Sequence, residues 1–104
     1  MEVSKIIRIN QKDNAVISLF EIQHGEEILT PDGERITVRE KIPANHKIAI
    51  KDFRKGDPVI KFGEEIGRTN QEIPKGGWIH AHNLVGSEVF EEALNEAFRE
   101  GGAK

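Results

Sequence analysis

Two histidines near the end of the chain are the residues best suited to chemistry. They lie in the run Trp78-Ile79-His80-Ala81-His82-Asn83. If this run is a strand, alternate side chains share one face, and the roots of His80 and His82 stand about 7 Å apart on it. Two neutral imidazoles so placed can hold a divalent metal with a third ligand, and protonated imidazoles can bind a carboxylate. A solvated or hydrogen-bonded strand face also explains the spacing, because two-ligand patterns often arise by chance.

Basic side chains in the middle of the chain could bind a carboxylated substrate. Lys47 follows His46 after a proline-led turn, and Lys61 and Arg68 each lie beside a glycine turn. Isolated basic residues are also common on surfaces, where they only aid solubility. His46 shares its predicted strand face with apolar residues, which favours a half-buried structural histidine as much as a site residue, whereas Lys47 faces the opposite side. We take His24, in an acidic loop, as a surface residue.

Other catalytic signatures are absent from the sequence. With no cysteine, the chain has no thiol nucleophile, thiolate metal ligand or disulfide of its own. It also has no Gly-x-Ser-x-Gly elbow, no glycine-rich phosphate loop and no His-Glu-x-x-His helix. The sequence therefore gives no support for independent catalysis, and it identifies no catalytic residue.

Length and charge narrow the possible roles. The 104 residues suffice for one small domain. The 18 acidic and 15 basic residues give a net charge of −3, which offers no surface for nucleic acid or an anionic membrane. No run approaches the roughly 20 apolar residues of a membrane span, and the first residues lack the apolar core of a signal peptide. We therefore expect a cytoplasmic protein.

The elements that must position the candidate side chains are short strands separated by tight turns. Such strands are expected at residues 6–9, 15–20, 27–30, 35–39, 47–51 and 58–62. The clearest hairpin surrounds Pro31-Asp32-Gly33-Glu34, which suits a tight turn. The run at 15–20 could also be a short helix. The segment from Gly63 to Gly67 is expected to be a turn, because its glycines can adopt positive φ.

Two of these segments form a weak internal sequence repeat. The residues Ile42-Pro43-Ala44-Asn45-His46-Lys47-Ile48 recur thirty-one positions later as Ile73-Pro74-Lys75-Gly76-Gly77-Trp78-Ile79. Both segments are expected to form a proline-led turn that feeds a strand. Together, these patterns predict a mainly β domain over residues 1–86.

The end of the chain, residues 87–104, has a helical period. Apolar residues recur at Val89, Phe90, Ala93, Leu94, Ala97 and Phe98. Ser87 can cap the first turn, and Gly101-Gly102 can end the helix. We expect one amphipathic α-helix with an acidic polar face. Its apolar stripe could pack on its own domain or dock onto a partner.

Several of these motifs, in this order, resemble the SAF-type β-clip domain of the altronate and galactarate dehydratase family. The matching pieces are Ile42-Pro43, His46-Lys47-Ile48-Ala49, Gly56 to Gly63, Ile66-Gly67-Arg68, Ile73, Gly76-Gly77 and His80 to Leu84. Weaker similarity extends back to Asp13, so that about four-fifths of the chain is covered. Asn45 stands where the family usually has Gly, but Asn tolerates a left-handed backbone. Phe62 stands where Tyr is common, which removes a hydroxyl.

The resemblance implies a β-clip that takes part in a lyase acting on a sugar acid. Such enzymes remove the proton next to the carboxylate and expel the neighbouring hydroxyl to form a 2-keto-3-deoxy acid. Related two-subunit members remove sulfite from sulfolactate instead. The family typically depends on Fe²⁺ or Mn²⁺, which can stabilise the enolate charge.

The resemblance also implies a role for this chain as a small, non-autonomous subunit beside a large catalytic subunit. It implies metal contacts for His80 and His82, and substrate contacts for His46, Lys47, Lys61, Arg68 and Asn83. The matched motif could instead be purely architectural. Other readings stay open: a free-standing SAF-type module that binds a sugar acid without catalysis, an assembly adaptor, or a homo-oligomeric regulator.

Overall fold

A computed structural model describes residues 5–86, which form nine short strands. The strands are β1 (Ile6–Ile7), β2 (Ala15–Ser18), β3 (Glu27–Leu29), β4 (Arg35–Thr37), β5 (Lys47–Ala49), β6 (Pro58–Lys61), β7 (Glu64–Thr69), β8 (Trp78–Ile79) and β9 (Leu84–Gly86). This confirms a mainly β fold, and β2 is a strand rather than a helix. The predicted terminal helix lies outside the described residues. Within those residues, no helix is long and apolar enough to cross a bilayer.

The strands form three antiparallel sheets. The largest has the order β1-β2-β5-β8, the second is the β3-β4 hairpin, and the third has the order β6-β7-β9. The β3-β4 pairing, with Ile28 opposite Ile36, confirms the hairpin predicted around the Pro-Asp-Gly loop. In the largest sheet, β5 lies between β2 and β8, with Ile48 opposite both Val16 and Trp78. The start of β5 and the end of β8 therefore lie side by side.

Four similar turns organise residues 22–79. Each begins at a buried apolar residue, contains a residue with positive φ three positions later, and ends at a buried apolar residue after three more. The four sets are Ile22, Gly25 and Ile28; Ile42, Asn45 and Ile48; Phe53, Gly56 and Val59; and Ile73, Gly76 and Ile79. The φ of 66° at Asn45 confirms that this Asn adopts the left-handed conformation that glycine takes in the other three turns.

The turns belong to two copies of one unit, residues 22–48 and 53–79, which repeat at the thirty-one-residue offset seen in the sequence. In each copy the two turns meet through an isolated bridge between their first residues, Ile22 with Ile42 and Phe53 with Ile73. Each copy also contains one hairpin, β3-β4 in the first and β6-β7 in the second. The copies end in β5 and β8, so the pairing of these two strands joins the halves of the domain.

Within residues 5–86, two apolar clusters form the core, one on each side of β5. Ile48 lies in the first and its neighbour Ala49 in the second, because successive strand residues face opposite sides. The first cluster comprises Ile6, Val16, Ile22, Ile28, Ile36, Val38, Ile42 and Ile48. The second comprises Ala15, Ala49, Phe53, Val59, Ile73 and Ile79. Trp78 packs against the first cluster and Leu84 against the second.

The segment from Gly63 to Gly67, expected to be a turn, is mostly strand β7. The turn is tighter: Lys61 pairs with Glu64, and the two residues between them, Phe62 and Gly63, have φ of 57° and 79°. Two successive positive φ values match the twist of an antiparallel hairpin. The Asp13 carboxylate holds this turn by accepting the Gly63 amide at 2.8 Å. That contact spans fifty residues, which a local pattern cannot reveal.

Candidate functional site

Three histidine rings surround the only tryptophan of the chain. The His80 ring stacks on Trp78 with centroids 5.4 Å apart and planes 11° apart. The His46 and His82 rings lie tilted against the same indole, at 5.5 and 5.0 Å. His46 and His80 also contact each other, with centroids 4.4 Å apart. The indole therefore forms the centre of an aromatic cluster at the surface.

The β5-β8 pair positions this cluster. Lys47, the first residue of β5, is opposite Ile79, the last residue of β8. His46 and His80 therefore flank the same end of the pair. We call the set His46, Lys47, Trp78, His80 and His82 the histidine–lysine edge.

The backbone of His46 is fixed from β2. The Ser18 amide donates to the His46 carbonyl at 2.9 Å, and the His46 amide donates to the Ser18 hydroxyl at 3.1 Å. That hydroxyl is buried and also donates to the Pro43 carbonyl at 2.7 Å. Because each polar group here has a partner, the entry to β5 is held without a buried unsatisfied group.

His80 and His82 lie in a turn, so the prediction that they share a strand face is wrong. Strand β8 ends at Ile79, and the chain turns as the Asn83 amide donates to the His80 carbonyl at 3.0 Å. The buried Asn83 side chain stabilises this turn, because its oxygen accepts the His80 amide at 2.9 Å and its nitrogen donates to the Trp78 carbonyl at 2.7 Å. Both imidazoles still reach Trp78. The substrate role of Asn83 stays a prediction, and its amide is used for the backbone here.

Lys47 is half-buried at this edge. Burial, and secondly the charge of Lys61, lower the pKa of Lys47 below its ordinary value. The Lys61 ammonium lies 4.8 Å from the centre of the Phe62 ring. The ion pairs among residues 5–86 involve other side chains than these two lysines. The two ammonium groups therefore lie near enough to repel each other, and no carboxylate of the described chain forms an ion pair with either of them.

His80 favours its neutral form. Partial burial of the ring lowers the pKa of His80, and the neighbouring His46, Lys47 and His82 lower it further. The outer edge of the ring is exposed while its face is covered by Trp78. A neutral imidazole at neutral pH can donate or accept a hydrogen bond.

Strand β6, which carries Lys61, is fastened to β2 by two neighbouring polar residues. The Asn14 side chain accepts the Ile60 amide at 2.7 Å and donates to the Pro58 carbonyl at 3.0 Å. Burial alone would raise the pKa of Asp13, but hydrogen bonds from backbone amides, first that of Gly63, lower it. Asp13 and Asn14 thus fix the Lys61 hairpin against the sheet that carries Lys47.

The described residues do not assemble a metal site of their own. Among residues 5–86, no three His, Cys, Asp or Glu side chains gather closely enough to hold a metal ion. In addition, the Nδ1 atom of His46 accepts a hydrogen bond from the Trp78 indole at 3.0 Å, so this nitrogen has no lone pair left for a metal. A complete Fe²⁺ or Mn²⁺ site in this part of the chain does not fit the structure.

Comparison with known proteins identifies a family that covers most of the chain. A sequence model of the altronate/galactarate dehydratase SAF domain matches residues 4–87. The chain belongs to this family. The resemblance that the sequence indicated is therefore confirmed, and the histidine–lysine edge lies within the matched residues of the SAF domain.

Its relatives include lyases in which the matched region is a small part of a long chain and a lyase in which it is most of one subunit. The SAF domain is 37% identical over 81 residues to altronate dehydratase of Bacillus subtilis (strain 168), covering 78% of this chain and 16% of the dehydratase. It is 36% identical over 77 residues to altronate dehydratase of Escherichia coli (strain K12), covering 74% and 15%. It is also 40% identical over 58 residues to (2R)-sulfolactate sulfo-lyase subunit alpha of Paracoccus pantotrophus, covering 54% of this chain and 87% of that subunit.

The chain thus spans about one-sixth of the length of the dehydratases that it matches. By contrast, it covers most of the sulfo-lyase subunit. These relatives link the SAF domain to a lyase. The sulfo-lyase relative indicates that a domain of this kind can be a subunit of its own.

Three further residues differ in how well the sequence predicts them: the predicted site residue Arg68, the predicted surface residue His24, and Trp78, which the sequence does not single out. Arg68 of the SAF domain is exposed on β7, where its guanidinium binds the Glu65 carboxylate and the Gly56 carbonyl, both at 3.1 Å. None of its hydrogen bonds within residues 5–86 reaches the histidines. His24 is exposed, as expected. Trp78 was not predicted as a site residue, although its position beside the His-x-His run and its uniqueness in the chain were available as signals.

Proposed function

We propose that this chain is the small, non-autonomous subunit of a sugar-acid dehydratase. In this role, its histidine–lysine edge forms one wall of a substrate site that a large catalytic subunit completes. The dehydratase names of two relatives support the chemistry. The match to most of a sulfo-lyase subunit supports the organisation into separate subunits.

One observation carries this proposal: cationic and imidazole groups meet at one exposed edge. A carboxylate placed there would meet the ammonium groups of Lys47 and Lys61, for which the described chain provides no ion pair. The imidazoles beside them can exchange hydrogen bonds with substrate hydroxyls. A polyhydroxy acid offers both kinds of group on adjacent carbons.

The chemistry divides between the two subunits. Removal of the proton next to a carboxylate builds negative charge on that carboxylate, and Lys47 can stabilise this charge. The neutral His80 can form a hydrogen bond with the hydroxyl on the neighbouring carbon. The residues of the SAF domain do not complete a metal site, so we assign any Fe²⁺ or Mn²⁺ mainly to the large subunit. His80 and His82 stay candidates for a contact with it.

A second candidate function is a free-standing module that binds a sugar acid without catalysis. The same edge supports it, because binding a carboxylate needs only the lysines and the imidazoles. The sulfo-lyase relative also makes sulfolactate a candidate substrate beside altronate and galactarate.

Co-expression with the large subunit of a dehydratase encoded nearby tests the proposal. The chain should co-purify with that subunit. We expect turnover of one acid in a panel of altronate, galactarate and sulfolactate, with added Fe²⁺ or Mn²⁺, only when both chains are present. Sugar-acid binding by the chain alone, with no complex formed, would instead establish the binding module. Full turnover by the large subunit without this chain would contradict the subunit proposal.

A further inference from the structure

We propose that Trp78 is the positioning residue of this edge: its indole N–H holds His46 in the tautomer that carries its proton on Nε2. The geometry of the pair supports this directly. The consequence for substrate binding rests on the proposed function.

Hydrogen-bond chemistry determines the tautomer. The Trp78 Nε1 atom lies 3.0 Å from the His46 Nδ1 atom. An indole nitrogen can only donate a hydrogen bond, so Nδ1 must be the acceptor and cannot carry a proton. In a neutral imidazole the proton is then on Nε2. The orientation of one ring therefore sets the chemical character of the other.

Trp78 is held through both its backbone and its ring. The Trp78 carbonyl accepts the Asn83 side chain at 2.7 Å, and the Trp78 amide donates to the Glu40 carboxylate at 3.2 Å. The indole packs against the first core cluster on one side, and His80 stacks on it at the surface. A side chain restrained in this way loses little further entropy when it orients a partner.

His46 is held independently, through the Ser18 contacts from β2 and the positive φ at Asn45. Donor and acceptor thus come from the two halves of the domain, which β5 and β8 join. No local contact brings them together, since the two residues are thirty-two positions apart.

The tautomer limits what His46 can do. With Nδ1 engaged and Nε2 protonated, neither nitrogen is free to ligate a metal or to accept a proton. The ring instead presents one N–H donor, which suits an acceptor oxygen such as a hydroxyl or a carboxylate of a sugar acid. His46 thereby becomes the hydrogen-bond donor of the edge, and any role as a base or ligand falls to His80 and His82.

Nuclear magnetic resonance on the complete ¹⁵N-labelled chain tests the tautomer without any partner. We expect a correlation across the hydrogen bond between the indole nitrogen and Nδ1 of His46, and a protonated Nε2. Trp78→Phe keeps an aromatic ring but lacks the donor, so the correlation should vanish and both tautomers of His46 should appear. His24, exposed and remote in sequence, serves as the internal control and should not change. A proton on Nδ1 of His46 in the unmodified chain would overturn the proposal, whether or not the Phe variant folds.

Kinetics of the two-subunit enzyme test the consequence. Glutamine can place an amide N–H near the position of Nε2, whereas alanine cannot. We expect His46→Ala to raise KM about tenfold and His46→Gln to raise it less than about threefold, with kcat changed less in both. An equal loss of kcat in the two variants would overturn the donor role. If neither the unmodified enzyme nor its variants turn over a substrate, the proposed function is wrong. The hydrogen bond from Trp78 to His46 is still supported in that case if the nuclear magnetic resonance correlation is present.

Discussion

At the scale of single residues, Lys47 shows a conflict between stability and binding. Its ammonium is half-buried, and both burial and the charge of Lys61 oppose its protonation. Desolvation of a charged group costs free energy unless a partner compensates for it. The proposed function explains the conflict, because a bound carboxylate would be that partner.

Replacing Lys47 with Met should stabilise the isolated chain and weaken the enzyme. The lowered pKa means that the unfolded state binds more protons between this pKa and about 10.4, so the unmodified chain gains stability as pH rises through that window. The variant should lack this gain. At pH 7 we expect it to be more stable by about 0.5 kcal/mol after allowance for solvent screening, which is a few degrees in Tm.

Urea unfolding at pH 7 and pH 10 measures this effect. The exposed Lys55→Met provides a matched control and should change stability little. In the two-subunit enzyme, Lys47→Met should lower kcat/KM at least about tenfold, the loss of one charge-assisted hydrogen bond. A Lys47→Met chain that is less stable than the unmodified chain at pH 7 would contradict this account of Lys47. Full activity of the two-subunit enzyme with Lys47→Met would contradict it as well.

The second residue-scale prediction concerns His80. Its pKa is lowered by partial burial and by the nearby His46, Lys47 and His82. Lys47→Met removes one of these causes and should raise the pKa of His80, whereas Lys55→Met should leave it unchanged. Titration of the His80 ring protons by nuclear magnetic resonance gives the answer.

The lowered pKa of His80 also determines how its contribution to stability changes with pH. The unfolded chain takes up a proton at about pH 6.5, before the folded chain does. The contribution of His80 is therefore complete above that pH and falls as pH decreases toward the folded pKa. An equal pKa of His80 in the unmodified and Lys47→Met chains would show that Lys47 does not act on it.

At the scale of elements, the repeated turns depend on residues with positive φ, and the repeat provides matched positions. Gly56 and Gly76 have the same φ of 89° in different turns. A Cβ on Gly56 would meet nothing within 4 Å, whereas one on Gly76 would lie 2.1 Å from the Thr37 carbonyl oxygen. The turn that precedes Trp78 is therefore packed against the β3-β4 hairpin, and its counterpart is open.

This difference predicts unequal effects of alanine at the two glycines. Gly56→Ala should cost about 1–2 kcal/mol, because only the left-handed backbone opposes it. Gly76→Ala should cost at least about 3 kcal/mol, or prevent folding, since a backbone oxygen must also move. The midpoint of urea unfolding measures both. Equal losses would mean that close packing at Gly76 is not needed.

At the scale of the whole molecule, the site exists because two similar halves meet. The hydrogen bond from Trp78 to His46 joins the last strand of one half to the residue that precedes the last strand of the other. Local patterns predicted the β3-β4 hairpin and the proline-led turns, since their signals lie within a few residues. They could not predict the meeting of the halves, which depends on strand pairing.

Contacts between residues that are distant in sequence also explain some of the differences between the predictions and the structure. The glycines of the Gly63–Gly67 segment predict a turn, but the turn is limited to Phe62 and Gly63, where the remote Asp13 holds it. The strand at His80 was extended too far because the buried side chain of Asn83 turns the backbone there. Trp78 was overlooked because its importance lies in its contacts with three histidines, of which one is remote in sequence.

The most direct measurement is the kcat/KM of the assembled two-subunit enzyme carrying His80→Ala together with His82→Ala. His24→Ala, a change of the same kind on an exposed loop, is the control. If this edge forms a wall of the substrate site, the double variant should lose at least about tenfold in kcat/KM while the complex elutes at its normal size. Unchanged kinetics in an intact complex would contradict the account and make the edge architectural.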